Sequence, residues 1–143
     1  DQIEIRNSWA DFDVSYRDKK IEVKCSSYLQ DWDQDKLSRI VFSGLKARDL
    51  YWSSAVSKFD KNMVKNYKAD IYIFCLVKHM DRDTFNILDL KQWCFFVVDK
   101  DRLNKITKNG SSITLLTLSK NSIESVVFEE LKTEVDELIN LSL

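Results

Sequence analysis

Residues 10–25 read Ala10-Asp-Phe-Asp-Val-Ser-Tyr-Arg-Asp-Lys-Lys-Ile-Glu-Val-Lys-Cys25, and this stretch decides the fold. Phe12, Val14 and Tyr16 alternate with Asp11, Asp13 and Ser15; Ile21, Val23 and Cys25 alternate with Lys20, Glu22 and Lys24. Period-two alternation predicts two half-buried strands. The polar Arg17-Asp18-Lys19 between them predicts a turn, and hence a β-hairpin. With a two-residue turn at Arg17-Asp18, partners across the strands have numbers summing to 35, so Asp13 faces Glu22 and Asp11 faces Lys24. Directly opposed Cβ atoms lie about 4.5–5.5 Å apart in an antiparallel pair. Carboxylates held that close repel, and a divalent cation offsets the repulsion; oxygen ligands suit Mg²⁺. Lys24 projects on the same face as Glu22, two residues further along the strand. One small patch thus offers two acids and an ammonium. The ordinary alternative is the solvated outer face of an antiparallel sheet, with Lys24 pairing weakly with Asp11.

Working outward, residues 26–47 carry both a helical and a strand pattern, and a short strand over about 39–46 is the expectation. Residues 53–68 predict a helix capped by Ser53 or Ser54, with Val56, Phe59, Met63, Val64 and Tyr67 on one face. Lys58, Lys61, Lys65 and Lys68 fall on the other. The apolar run Ile71 to Val77 reads as a central strand covered on both sides. A polar loop over 81–91 follows, then an apolar strand from Trp93 to Val98. Asp99 starts a short helix to about Ile106. Asn109-Gly110 is a turn, and Ile113 to Leu118 a short strand. Residues 123–140 form an amphipathic acidic helix on Val127, Leu131, Val135, Leu138 and Ile139. The order of elements predicts an α/β or α+β protein: a mixed β-sheet flanked by helices.

Composition narrows the chemistry. The chain has 143 residues, 44% of them hydrophobic and 12% aromatic, which fits one domain with a real core. No apolar run reaches the roughly 18 residues of a membrane helix. Cys25, Cys75 and Cys94 are read as reduced, buried thiols of a cytoplasmic protein. The one histidine, His79, builds neither a zinc site with such scattered cysteines nor a Ser-His-Asp triad, for nothing near it resembles a nucleophile turn. Two glycines, Gly44 and Gly110, are too few for a glycine-rich phosphate loop. Neither a linker nor a repeat divides the chain.

Asp13, then Glu22-Val23-Lys24 after eight intervening residues, resembles the bipartite signature of the PD-(D/E)XK, or restriction-endonuclease-like, nucleases; Phe12 stands where that signature has proline. The wider string is similar to an uncharacterised bacterial group within that superfamily. It includes Trp9 to Val14, Ile21 to Gln30, Trp32, Gln34, Ser38, Ala69 to Cys75 and Gln92 to Val97. The resemblance spans about residues 9–118. It implies a single restriction-endonuclease-like domain over 1–143, without the N-terminal helix that many members carry. It implies that Asp13, Glu22 and the carbonyl of Val23 hold a catalytic Mg²⁺, with Mn²⁺ as the substitute. Lys24 then positions or polarises the attacking water. A glutamine following the motif contributes too, Gln34 first and Gln30 in reserve, and Asp11 is the alternative to Asp13. Mg²⁺ lowers the pKa of bound water and neutralises charge on the scissile phosphate, and Lys24 stabilises the same charge.

The expected activity is therefore Mg²⁺-dependent hydrolysis of DNA phosphodiesters, in restriction or defence, with a homodimer where both strands are cut. The alternative is a catalytically inactive nucleic-acid-binding module on the same fold. The net charge of −1 divides unevenly: residues 36–68 hold 8 Lys and Arg against 2 Asp, while the first 35 residues and the last 22 are acidic. Basic side chains interleaved with aromatics suit phosphate contact, and Lys58, Lys61, Lys65 and Lys68 are the expected DNA contacts.

Overall fold

A computed structural model describes residues 3–5, 12–47, 52–53, 58–59 and 65–142. The hairpin predicted from residues 10–25 is present. Its strands are β2 (Val14–Tyr16) and β3 (Lys19–Ser27), paired antiparallel with Val14 opposite Ile21 and Tyr16 opposite Lys19. Arg17 and Asp18 form the turn, at φ 49° and 62°. Two positive φ angles match the right-handed twist of the flanking strands. Neither residue is glycine, so the turn needs outside support. Arg17 donates hydrogen bonds of 3.1 Å to both Asp136 and Asn140, on the C-terminal helix.

This hairpin seeds a mixed sheet. β1 (Ile3–Ile5) pairs antiparallel with β2. β7 (Ile71–Val77) runs parallel to β3 from Ile21↔Ile71 to Ser27↔Val77, and β8 (Trp93–Asp99) runs antiparallel to β7. The order is β1-β2-β3-β7-β8. The architecture is mixed α+β, as expected. Every residue of β7 is buried, which is why its sequence carries no alternation.

Two cores lie on opposite faces. On one, Tyr72, Phe74 and Leu76 of β7 meet Cys94, Phe96 and Val98 of β8. That face is closed by β4 (Val41–Phe42), β9 (Ile113–Thr114), α1 (Lys100–Thr107) and α2 (Leu115–Lys120), which contribute Phe42, Ile113, Leu103 and Leu118. On the other, Ile71, Ile73, Cys75, Phe95 and Val97 pack with Tyr16, Ile21 and the Val135–Ile139 stripe of α3 (Phe128–Leu141). Asp99 caps α1 by accepting from the backbone N–H of Arg102. No helix among the described residues is long and apolar enough to cross a membrane.

The structure departs from the sequence expectations at several points; α3, for one, begins at Phe128 with Val127 as its N-cap, not at 123. Where the helix expected over 53–68 falls on described residues, the structure has β5 (Trp52–Ser53) and β6 (Lys58–Phe59), paired antiparallel with Trp52 opposite Phe59; residues 54–57 and 60–64 lie outside the described residues. Aromatic residues favour such pairing over a helix. Asn66 forms an antiparallel bridge to Ala47. The strand expected over 113–118 stops at Thr114, whose hydroxyl accepts from the N–H of Thr117 and starts α2 instead. The hairpin strand expected from residue 10 begins only at Val14, with Phe12 and Asp13 in a bend. Cys75 and Cys94 are buried thiols, but Cys25 is exposed.

Candidate functional site

The acidic patch of the hairpin lies where its ladder stops. The ladder ends at Val14 opposite Ile21, so Asp13 does not pair with Glu22 across the strands as the register predicts. Asp13 leaves the strand at this point. Its N–H donates to the Ile21 carbonyl at 2.9 Å, and its carboxylate Oδ2 accepts from the Val23 N–H at 2.9 Å. The side chain thus takes the place a backbone carbonyl of β2 would have held. In a strand the N–H and C=O of one residue point to the same edge. The Val23 carbonyl therefore lies on the edge where Asp13 stands.

Glu22 and Lys24 lie on the other side of that position, on the face shared with Tyr72 and Phe74, their partners across the parallel ladder. Their side chains form an ion pair of 2.7 Å, with 19% and 27% of their surfaces exposed. Tyr72 sits beneath Glu22. Burial pushes its hydroxyl up to about 12, and the charge of Glu22 adds to this, so it stays protonated. It donates to the Leu45 carbonyl at 3.3 Å, which ties the segment after β4 to the site. In that segment Gly44 adopts φ +68°, and a Cβ placed there would stand 3.6 Å from the Lys24 Nζ. Gly44 thus lies against the ammonium. Cys25, next after Lys24, has its thiol lowered to about 7, chiefly by the Cys75 thiol beside it, with burial and Asp13 acting in the opposite sense.

Gln34 has a different environment. Its Oε1 accepts from the Gln30 N–H at 2.8 Å and from Arg82 at 3.0 Å. Its Nε2 donates to the Tyr28 carbonyl and to Ser38. Gln30 donates to the Ser27 carbonyl, and its own carbonyl accepts from Arg82. Both glutamines organise the loop that leaves β3. Asp11 and Lys61 lie outside the described residues. Lys58 is on β6, while Lys65 and Lys68 belong to the extended run before β7. They do not form one helical face.

Three segments far apart in sequence, each carrying lysines, are instead joined to one another. The Lys46 Nζ donates to the Asn109 carbonyl at 3.0 Å, Ala47 bridges Asn66, and the Tyr67 hydroxyl bonds Thr107 and the Gly110 carbonyl. Lys46, Lys65, Lys68, Lys105 and Lys108 therefore belong to one neighbourhood, and residues 45–47, 65–68 and 104–110 contain no Asp or Glu. Gly44 links this neighbourhood to Lys24. Sequence reasoning missed Lys105 and Lys108, although the acid-free run Arg102 to Gly110 was there to be read. It missed Gly44 as well, though a chain with two glycines invites the question of what each one does.

Two carboxylates and a backbone carbonyl are hard oxygen donors, and they suit Mg²⁺ better than a soft metal. Among the described residues, no three His, Cys, Asp or Glu side chains gather closely enough to hold a metal ion, so the carbonyl and waters would complete any shell here. Comparison of the chain with protein-family models, characterised proteins and solved structures finds no match.

Proposed function

We propose that this chain is a metal-dependent nuclease that hydrolyses DNA phosphodiesters, with Glu22, Lys24 and Asp13 as its working residues. The observation that carries the reading is the Glu22–Lys24 ion pair at 2.7 Å, beside an Asp13 carboxylate anchored on the N–H of Val23. Asp13, Glu22 and the Val23 carbonyl would hold Mg²⁺ or Mn²⁺. Such an ion supplies a water of lowered pKa and neutralises charge on the phosphate. Lys24 offers its ammonium to the attacking water and to the non-bridging phosphate oxygens, where negative charge grows in the transition state. Glu22 keeps that ammonium in place, and Gly44 leaves the approach to it open. Backbone phosphates on either side of the scissile bond contact Lys46, Lys65, Lys68, Lys105 and Lys108. The mixed α+β sheet is one that a restriction-endonuclease-like arrangement shares with many folds, and a role in restriction or defence is part of the same proposal.

The test is nicking of supercoiled plasmid DNA with Mg²⁺, and with EDTA as control. Cleavage by wild type that is lost in both Glu22→Gln and Lys24→Ala supports the site. Cleavage that survives both substitutions overturns it. A second reading, a binding module without catalysis, draws on Gln34, whose polar atoms are engaged by its own loop and by Arg82. Salt-dependent DNA binding without cleavage in Mg²⁺ or Mn²⁺ would select it.

A further inference from the structure

Cys25 and Cys75 are direct partners across the parallel β3–β7 ladder, so their side chains project on the same face. Neighbouring strands lie about 4.8 Å apart, inside the roughly 4.4–6.8 Å window of Cα separations that a disulfide spans. The two thiols differ in access: Cys25 is exposed, while Cys75 is 6% exposed beneath α3. Cys94 is no competitor. It belongs to the core on the opposite face of the sheet, with Phe74 and Phe96. We propose that Cys25 and Cys75 form an oxidisable pair, a modification site at which a peroxide converts two thiols to one disulfide joining β3 to β7.

The chemistry balances. The Cys25 sulfur attacks one oxygen of hydrogen peroxide; the S–O bond forms, the O–O bond breaks, and the thiol proton leaves with the other oxygen as water. Cys75 then attacks the Cys25 sulfur. The S–S bond forms, the S–O bond breaks, and the hydroxyl departs with the Cys75 proton as a second water. Access sets the order, since the exposed thiol meets the oxidant and the buried one faces the product. The inference stands on the register and does not depend on the proposed nuclease activity. The bond would lie one residue from Lys24, so it fixes the strand that carries the Glu22–Lys24 pair.

The experiment treats the reduced full chain with one equivalent of hydrogen peroxide and reads intact mass and a non-reducing peptide map. The expected product is lighter by two hydrogen atoms, with the peptides of Cys25 and Cys75 joined, and dithiothreitol reverses it. Cys94→Ser should behave as wild type. Cys75→Ser should stop at one added oxygen on Cys25, captured by dimedone. Before oxidation, iodoacetamide should label Cys25 about tenfold or more faster than Cys75 or Cys94 in the native chain, a measurement that needs no variant. A wild-type product with added oxygen and no loss of hydrogen overturns the proposal. So does a cross-link that maps to Cys94 or joins two chains, or equal labelling of the three thiols.

Discussion

The Glu22 carboxylate and the Lys24 ammonium, two residues apart on β3, meet at 2.7 Å on the face of the sheet above Tyr72. Both side chains keep part of their surface in water, so the pair adds little to stability, about 0–1 kcal/mol. In the proposed reaction its value lies in holding the ammonium beside the Glu22 carboxylate. Glu22→Gln and Lys24→Ala should therefore each leave the thermal midpoint close to wild type. Each should slow plasmid nicking by about 10²-fold or more, the usual loss on removing one electrostatic stabiliser of a transition state. Circular dichroism melting and nicking rates measured on the same preparations separate the two effects.

Gly44 tests whether the neighbouring turn matters to that ammonium. A side chain at φ +68° strains the backbone by roughly 1–2 kcal/mol, and the added methyl would touch Lys24 at 3.6 Å. Gly44→Ala should lower stability by that amount and also reduce nicking under conditions where the protein stays folded. Gly110, whose φ is not positive, would bring its Cβ 2.9 Å from the Thr107 carbonyl. Gly110→Ala should lose stability, while the folded fraction retains its specific activity.

The contrast between the hairpin and residues 53–68 shows what a single sequence reveals. In 12–25 one period runs without interruption and the turn is two residues long, so strand, face and register follow together; Val14↔Ile21 is the pairing that the alternation predicts. In 53–68 the apolar positions satisfy a helical spacing, but the described residues Trp52–Ser53 and Lys58–Phe59 pair as a short antiparallel ladder and Asn66 bridges Ala47, so strand pairing prevails over that periodicity there. Thr114 is a similar case, in which one hydroxyl ends a strand by capping a helix. Of the candidate site, Glu22 and Lys24 were legible because strand alternation is local, whereas Asp13 sits in a bend outside the ladder that the register did not predict. Gly44 and the lysines at 46, 105 and 108 were not legible, because contacts between distant segments place them.

The turn at Arg17-Asp18 makes a pH prediction. Asp136 accepts from Tyr16 at 2.8 Å, from Arg17 at 3.1 Å and from Lys132 at 2.9 Å. Lys132 chiefly, then Tyr16 and Arg17, hold its carboxyl at about 2, below the ordinary 3.8. A carboxylate with a depressed folded pKa stabilises the fold above the unfolded value, and this contribution is lost as pH falls through the folded one. The thermal midpoint should therefore drop between about pH 4 and pH 2 because Asp136 takes up its proton. In Asp136→Asn that part of the drop should be missing, with a lower midpoint at neutral pH. Equal slopes in the two proteins over that interval would refute the assignment.

The core beneath α1 predicts a larger effect. Leu103 is fully buried in the cluster that holds Phe42, Phe74 and Leu118. Leu103→Ala should cost about 2–5 kcal/mol, the cavity and transfer terms combined. Urea unfolding, compared with exposed Leu116→Ala as control, measures it. A loss below 1 kcal/mol, roughly the scale of a surface substitution, would mean that α1 is not packed as described.

The last prediction concerns the lysines gathered from three segments. Each phosphate they neutralise releases counterions, so the logarithm of DNA affinity should fall with the logarithm of salt by a slope of about 0.9 per contact on duplex DNA. Lys46, Lys105 and Lys108 belong to this neighbourhood but not to β3, which carries Glu22 and Lys24, so their loss should weaken binding without abolishing the proposed chemistry. The triple variant Lys46→Ala/Lys105→Ala/Lys108→Ala should reduce the salt slope by about 2–3 and raise the DNA concentration needed for half-maximal nicking. The rate at saturating DNA should stay close to wild type. Lys46 also donates to the Asn109 carbonyl, so Lys46→Arg provides the control for a purely structural contribution. Binding that keeps its slope in the triple variant would place the DNA on another face.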